Sequence, residues 1–406
     1  MIPSNCDILL VTQAPFPARS ATTNHLARIC RGLQLQGCTP AIIGVAASAK
    51  LLTGKYSKWE VPFECVEETV PRRPFFIFKR GQVLHKLMQP RIQELINSGT
   101  IRAILFYGSS YSAFDKLINI CLEHRVLILT YEYEYPMINW LALVTGEYLD
   151  RKKYIKRSLP KASGIIGISS FWQVIARKQS IPSIIIPSYL SDEIEILNKG
   201  KNTTEIETRD VFHLVRLGHW AVRECPCVLF EALKTVHNKG IPIHHTAIGQ
   251  IGNNPLERKA VRMYKTDPLL QKIVTVTGWV DDNEKDKLLA SASAFIHLRR
   301  QNVETQGMFP TRLPEYLAYA RPVIVSDAGD IARYMEHKKN AWLIPEGNSP
   351  EALSDAIIAL YRDKKLANSI GNAGYERAIQ CFSIEHNGAR LFNFITTISN
   401  KSEICR

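Results

Sequence analysis

Nothing in this 406-residue chain reads as a metal-binding cysteine framework. Its nine cysteines are scattered. The one close pair, Cys225-Pro-Cys227, has no second pair to complete a tetrahedral site. An odd count without a framework argues for reduced thiols and a cytoplasmic setting. No apolar run approaches the roughly 20 residues that span a bilayer. The stretch Ile8–Thr12 is too brief for the apolar core of a secretory leader, and Met1–Asp7 is short and polar. Low-complexity tracts and solenoid-period repeats are missing too, which excludes fibrous and repeat architectures.

What remains is ordinary globular composition, 46% apolar and 22% charged, in a chain long enough for two or three domains with sizeable cores. The formal charge is +13, and residues 1–187 hold most of the excess, with 23 Lys and Arg against 12 Asp and Glu. Two stretches dominate, Pro71–Lys86 (PRRPFFIFKRGQVLHK) and Arg151–Lys161 (RKKYIKRSLPK). The first interleaves cations with Phe and Ile, which suits an anionic bilayer face. The competing reading is a solvated surface. No nucleic-acid motif accompanies the charge, so nucleic acid is not an expected partner.

Strand-like and helix-like segments alternate along the chain, the pattern of parallel α/β architecture. Strands are expected at Cys6–Pro17, Thr39–Ala46, Ile101–Gly108, Val126–Glu134, Ser163–Ser170 and Ser183–Pro187. Residues 191–210 turn polar and lose apolar periodicity, as a linker does. The alternation restarts at Val211 and closes with one long helix expected over Ser349–Gly371. The fold class is α/β: two Rossmann-like doubly wound domains facing a central cleft. The expected division is an N-terminal domain over 1–190, a linker over 191–210, a second domain over 211–385, and a C-terminal helix over 386–406 packing back toward the first. In such sheets ligands bind beyond the carboxyl ends of the strands.

Four segments of the second half resemble, in order, the retaining group-1 glycosyltransferases of GT-B architecture. They are LVRLGHWAVRECPCVLFEAL from Leu214, VTGWVDDNEKDKLLASASAFIHL from Val276, MFPTRLPEYLAYARPVIVSDAGD from Met308, and NAWLIPEGNSPEALSDAI from Asn340. The resemblance covers about residues 211–385, and the segment from Thr12 to Gly37 extends it more loosely into the first half. It implies a nucleotide-sugar donor, a UDP- or GDP-sugar, with no cofactor and no metal.

Each part of such a donor asks for its own chemistry. A carboxylate that accepts two hydroxyl hydrogen bonds is an economical ribose clamp, and Glu315 stands where the resemblance puts it. A diphosphate wants cations and helix N-termini, which nominates Arg223, Arg312 and the backbone N–H groups of Thr311 and Leu313. The Gly329-Asp330 turn offers further amides. By resemblance, Gly278, Trp279 and Val280 form the turn that holds the base. Glu132 and Glu134, in TYEYEYP after a first-domain strand, are the candidate catalytic carboxylates. His25 is a further, more ordinary candidate, read first as a structural histidine. The sequence departs from the family where a second glutamate stands eight positions before the first: Gly307 occupies that place, with Glu304 and Gln306 nearby.

These features predict a metal-independent, hexosyl-type glycosyltransferase of the cytoplasm, acting peripherally at the inner membrane face. Its acceptor would be a glycan or lipid-linked molecule of envelope polysaccharide or glycolipid synthesis. Two other readings stay open, a nucleotide-sugar epimerase on the same scaffold and a non-catalytic partner of an active transferase.

Overall fold

A computed structural model describes the chain outside residues 19, 47–52, 58, 67–76, 109–110, 136–146, 191–210, 219–223, 251–256, 346–348 and 405–406. Two compact units divide it, Met1–Tyr189 together with Ile384–Arg406, and Leu190–Ser383. The expected linker, 191–210, lies outside the described residues, as do residues 71–76 of the basic stretch Pro71–Lys86, whose remainder opens a helix over Ile77–Asn97.

The first unit is built on an eight-stranded sheet. Its strands are β1 (Ile8–Phe16), β2 (Pro40–Ala46), β3 (Thr53–Tyr56), β4 (Val61–Val66), β5 (Ala103–Tyr107), β6 (Leu127–Glu132), β7 (Gly164–Gly167) and β8 (Ser183–Ile185), in the order β3-β4-β2-β1-β5-β6-β7-β8. Every pairing is parallel except the β3–β4 hairpin. All five residues of β5 are buried, as in a sheet covered by helices on both faces. The order reverses at β1–β5, which marks the ligand-binding edge of a doubly wound sheet.

The C-terminal helix Ile384–Ile404 belongs to this unit. It packs on the first helix, Ala21–Gln34, where Gly32 and Gly388 let the two backbones meet. A Cβ on Gly388 would stand 2.4 Å from the Gly32 carbonyl oxygen, closer than any side chain tolerates. Asn387 donates to the Ser188 carbonyl at 3.1 Å and Arg390 to that of Ile185 at 2.8 Å.

The second unit has six strands, β9 (Phe212–Leu217), β10 (Ile243–Ile248), β11 (Val274–Gly278), β12 (Ala294–His297), β13 (Val323–Ser326) and β14 (Trp342–Ile344), all parallel in the order β11-β10-β9-β12-β13-β14. This is the Rossmann order, with its switch point between β9 and β12. The single long helix expected after Ser349 is two helices, Pro350–Arg362 and Lys364–Phe382. Asp363 breaks it: at φ −111° and ψ 87° it leaves the helical region, and its carboxylate accepts the Leu366 amide at 2.9 Å. The side chain thereby starts a new helix.

Candidate functional site

Glycine ends each strand on one side of the second unit's switch point. Gly218, Gly249 and Gly278 follow or close β9, β10 and β11 with φ of +114°, +141° and +71°. Gly218 donates to Ile248 O at 2.6 Å, and Gly278 to Gly249 O at 3.2 Å. Their left-handed backbone leaves a floor without side chains. Arg312 uses that space: a Cβ on Gly218 would fall 2.1 Å from its Nη1.

The short helix Leu313–Leu317 is pinned over this floor by Tyr316. Its ring stacks on Phe295 of β12, centroids 4.7 Å apart and 2° from parallel. Its hydroxyl accepts the Leu217 amide at 2.6 Å. Burial pushes the Tyr316 phenol above its usual range, so it is neutral at any ordinary pH. With Leu313, Pro314, Tyr316 and Leu317 buried, Glu315 is left half-buried at the rim. Among the described residues no donor comes within hydrogen-bond distance of its carboxylate. Its charge is still felt by Lys285: burial lowers that ammonium's pKa, but Glu315, Asp282 and Asp286 outweigh the effect and raise it.

A second cluster gathers around Glu224, just before the helix Pro226–Asn238. Arg216 of β9 is buried with it and holds its carboxylate directly. Arg299, beyond β12, lies 3.8 Å away, and Arg312 lies 3.7 Å away. Burial, with repulsion from Arg312 and Arg299, pulls the Arg216 guanidinium down to about 9, still cationic at neutral pH. Arg299 is further oriented: its Nε donates to His297 Nε2 at 3.2 Å, and its amide to Ser326 Oγ at 2.8 Å. His297, Arg299, Thr305, Phe309 and Ser326 line a cavity beyond β12 and β13. The site therefore presents cations, an open carboxylate and a small cavity at one sheet edge.

Trp279 is 83% exposed, standing free in the turn after β11, and Val280 is half-buried beside it. Thr311 is exposed and Arg312 half-buried. Leu313 cannot offer the expected amide, because it already donates to Pro310 O at 3.0 Å. The Gly329 amide is likewise spent on Gln301 Oε1 at 3.0 Å. Gly307 closes a four-residue helix, Val303–Gln306, and Glu304 is half-buried on it. Arg223 lies outside the described residues.

The two first-unit glutamates have opposite surroundings. Glu134 is exposed just past β6. Glu132 is fully enclosed, paired with Arg151 at 3.0 Å and hydrogen-bonded by the Tyr154 hydroxyl. Burial raises its pKa against the pull of Arg151 and Tyr154. Arg151 also donates to the Glu134 carbonyl at 2.7 Å. Glu132 thus anchors the strand end after which Glu134 stands, with its carboxylate enclosed by Arg151 and Tyr154. His25 is buried among Tyr107, Tyr131 and Tyr189 and held neutral by burial, its pKa down to about 3. Among the described residues, no group of three or more His, Cys, Asp or Glu is arranged to hold a metal ion. None of their helices is long and apolar enough to cross a membrane.

Sequence reasoning missed Arg216, Glu224 and Arg299. The signal was present in Arg216, a lone cation inside the apolar strand FHLVRL.

Residues 209–363 match the family model described as Glycosyl transferases group 1. The amylovoran biosynthesis glycosyltransferase AmsK of Erwinia amylovora is 22% identical over 219 residues, 52% of this chain and 50% of its own. The chain spans about half the length of the curated relatives it matches. A glycosyltransferase from Rickettsia africae superposes with a TM-score of 0.70 at 17% identity, covering 97% of this chain and 99% of its own. HepE of Anabaena, solved in complex with UDP, gives 0.65 at 15% identity over 96% and 100%. The chain has the two-domain Rossmann-like fold of the GT-B glycosyltransferases, and over residues 209–363 its sequence matches the group 1 family.

Proposed function

We propose that this protein is a glycosyltransferase that moves a sugar from a nucleotide-sugar donor to a glycan or lipid-linked acceptor, in polysaccharide or glycolipid synthesis. The observation that carries the reading is Glu315. A half-buried carboxylate with no hydrogen-bond donor among the described residues, beside arginines on a glycine floor at the switch point, suits a ligand that brings a diol and a diphosphate. Glu315 accepts the ribose hydroxyls. Arg312 and Arg299 face the diphosphate, whose charge is met by guanidinium groups in place of a metal. The exposed Trp279 beside Gly278 offers a flat apolar face to the base. UDP in the HepE complex favours a uridine donor over a guanosine one.

Catalysis with retention is the expectation that the family resemblance supports, with the donor phosphate taking the acceptor proton. Glu134, exposed just past β6, is the first-unit carboxylate we assign to the acceptor side; Glu132 holds its strand in place. The names of AmsK and of a putative colanic acid glycosyltransferase of Salmonella typhimurium favour an envelope polysaccharide. The Phe-bearing basic stretch Pro71–Lys86 supports work at an anionic membrane surface, and co-sedimentation with anionic liposomes at low salt tests that part.

A thermal-shift screen against UDP-, GDP-, ADP- and CMP-sugars tests the donor. Each true ligand raises the melting temperature by mass action. Stabilisation by a UDP-sugar, with nucleotide released only when acceptor is added, supports the transferase. No shift with any nucleotide would leave only the non-catalytic reading, and release independent of acceptor would count against transfer.

A further inference from the structure

The arginine cluster already contains an anion of its own. Arg216, Arg299 and Arg312 come from the interior of β9, the loop after β12 and the residue before the Leu313–Leu317 helix, and all three lie within ion-pair distance of Glu224. Their engagement is unequal. Arg216 is buried and bonds the carboxylate directly, whereas Arg299 and Arg312 are more open, their side chains 17% and 33% exposed, and stand 3.8 and 3.7 Å away. At that spacing they share the charge of Glu224 without being held by it.

We propose that Glu224 is a built-in competitor for phosphate: its carboxylate partly neutralises Arg299 and Arg312 and so weakens their hold on a diphosphate entering the site. Three guanidinium groups lie within ion-pair distance of this one carboxylate, so its charge is divided among them. Removing the charge of Glu224, itself buried beside Arg216, would raise the positive potential at Arg299 and Arg312. A transferase must release its nucleoside diphosphate product each turn, and an affinity held down by an internal anion shortens that residence. The backbone keeps the competitor in place. Cys225 follows at φ +51°, and the Pro226–Asn238 helix starts directly after it, so the carboxylate has little freedom to withdraw. The residue therefore sets how long the diphosphate product stays bound. This rests on the reading of the site as a donor site.

The test is calorimetric titration of inorganic pyrophosphate, and separately of UDP, into wild type, Glu224→Gln and Glu224→Asp at low ionic strength, where such effects are least screened. Thermal melts establish that each variant is folded. Glu224→Gln is expected to bind pyrophosphate about tenfold more tightly, and Glu224→Asp, which draws the charge back by one methylene, about threefold. Should the Gln variant fail to fold, the Asp variant decides alone. Unchanged or weaker pyrophosphate affinity in the folded variants overturns the proposal. Tighter pyrophosphate binding with no UDP binding by any form leaves the competitor standing and removes the donor reading. UDP binding by wild type without tightening in the variants does the reverse.

Discussion

The guanidinium of Arg312 lies against the bare α-carbon of Gly218, so close that a Cβ there would stand 2.1 Å from its Nη1. Two demands meet at this glycine. Its φ of +114° excludes ordinary side chains, and the arginine needs the space. Gly218→Ala is therefore expected to displace Arg312 and reduce UDP-sugar affinity by at least about tenfold, with strain of about 1–3 kcal/mol. Calorimetry and a thermal melt check the two effects separately. Wild-type affinity in the alanine variant would show that Arg312 does not contact the donor.

The buried pair of Glu132 and Arg151 makes a different prediction. Arg151→Met strands a carboxylate that is fully enclosed and is expected to cost about 3–5 kcal/mol. Replacing both residues, Glu132→Leu with Arg151→Met, removes both charges together, and most of that loss should return. Urea unfolding of the first unit measures both. A double variant as unstable as the single one would mean the pair contributes more than mutual neutralisation.

Acid sensitivity follows from His245. Its Nδ1 donates to Leu214 O at 3.0 Å, and its Nε2 is buried with no partner among the described residues. Burial, with repulsion from Arg216, lowers its pKa from 6.5 to about 3. The unfolded chain takes up a proton near pH 6.5 and the folded ring does not until about pH 3. Stability contributed by this histidine is thus present above pH 6.5 and lost as pH falls through that window, by up to about 1.4 kcal/mol per pH unit. Urea midpoints of the second unit measured from pH 7 to 4.5 are expected to fall, and to fall less steeply in His245→Leu. Parallel slopes in the two proteins would assign the acid sensitivity elsewhere.

Much of this architecture was legible in the chain. Parallel strands buried on both faces must be continuous apolar runs, so AILFY and VIVS announce themselves. The Pro-containing LPEYL helix and its glutamate were legible too. Contacts made across the sheet order were not. Arg216, Arg299 and Glu224 are brought together only because β12 pairs with β9. Glu132 looked reactive because its partners lie 19 and 22 residues further on, in a stretch whose charges read as a solvated face. Arg151 and Tyr154 turn inward from that stretch, while Lys152, Lys153, Lys156 and Arg157 stay exposed. Leu313 was nominated for an amide already given to Pro310, a bond that depends on the local chain path and on no side chain.

Donor affinity with Glu315 altered is the most direct measurement. Glu315→Gln keeps size and burial but removes the charge, and charge-assisted hydrogen bonds to hydroxyls contribute about 1.5–3 kcal/mol. Calorimetric titration of a UDP-sugar is expected to show affinity lower by about 10- to 100-fold in the variant, with the melting temperature of the free protein unchanged. Equal affinity in the two proteins would contradict the account.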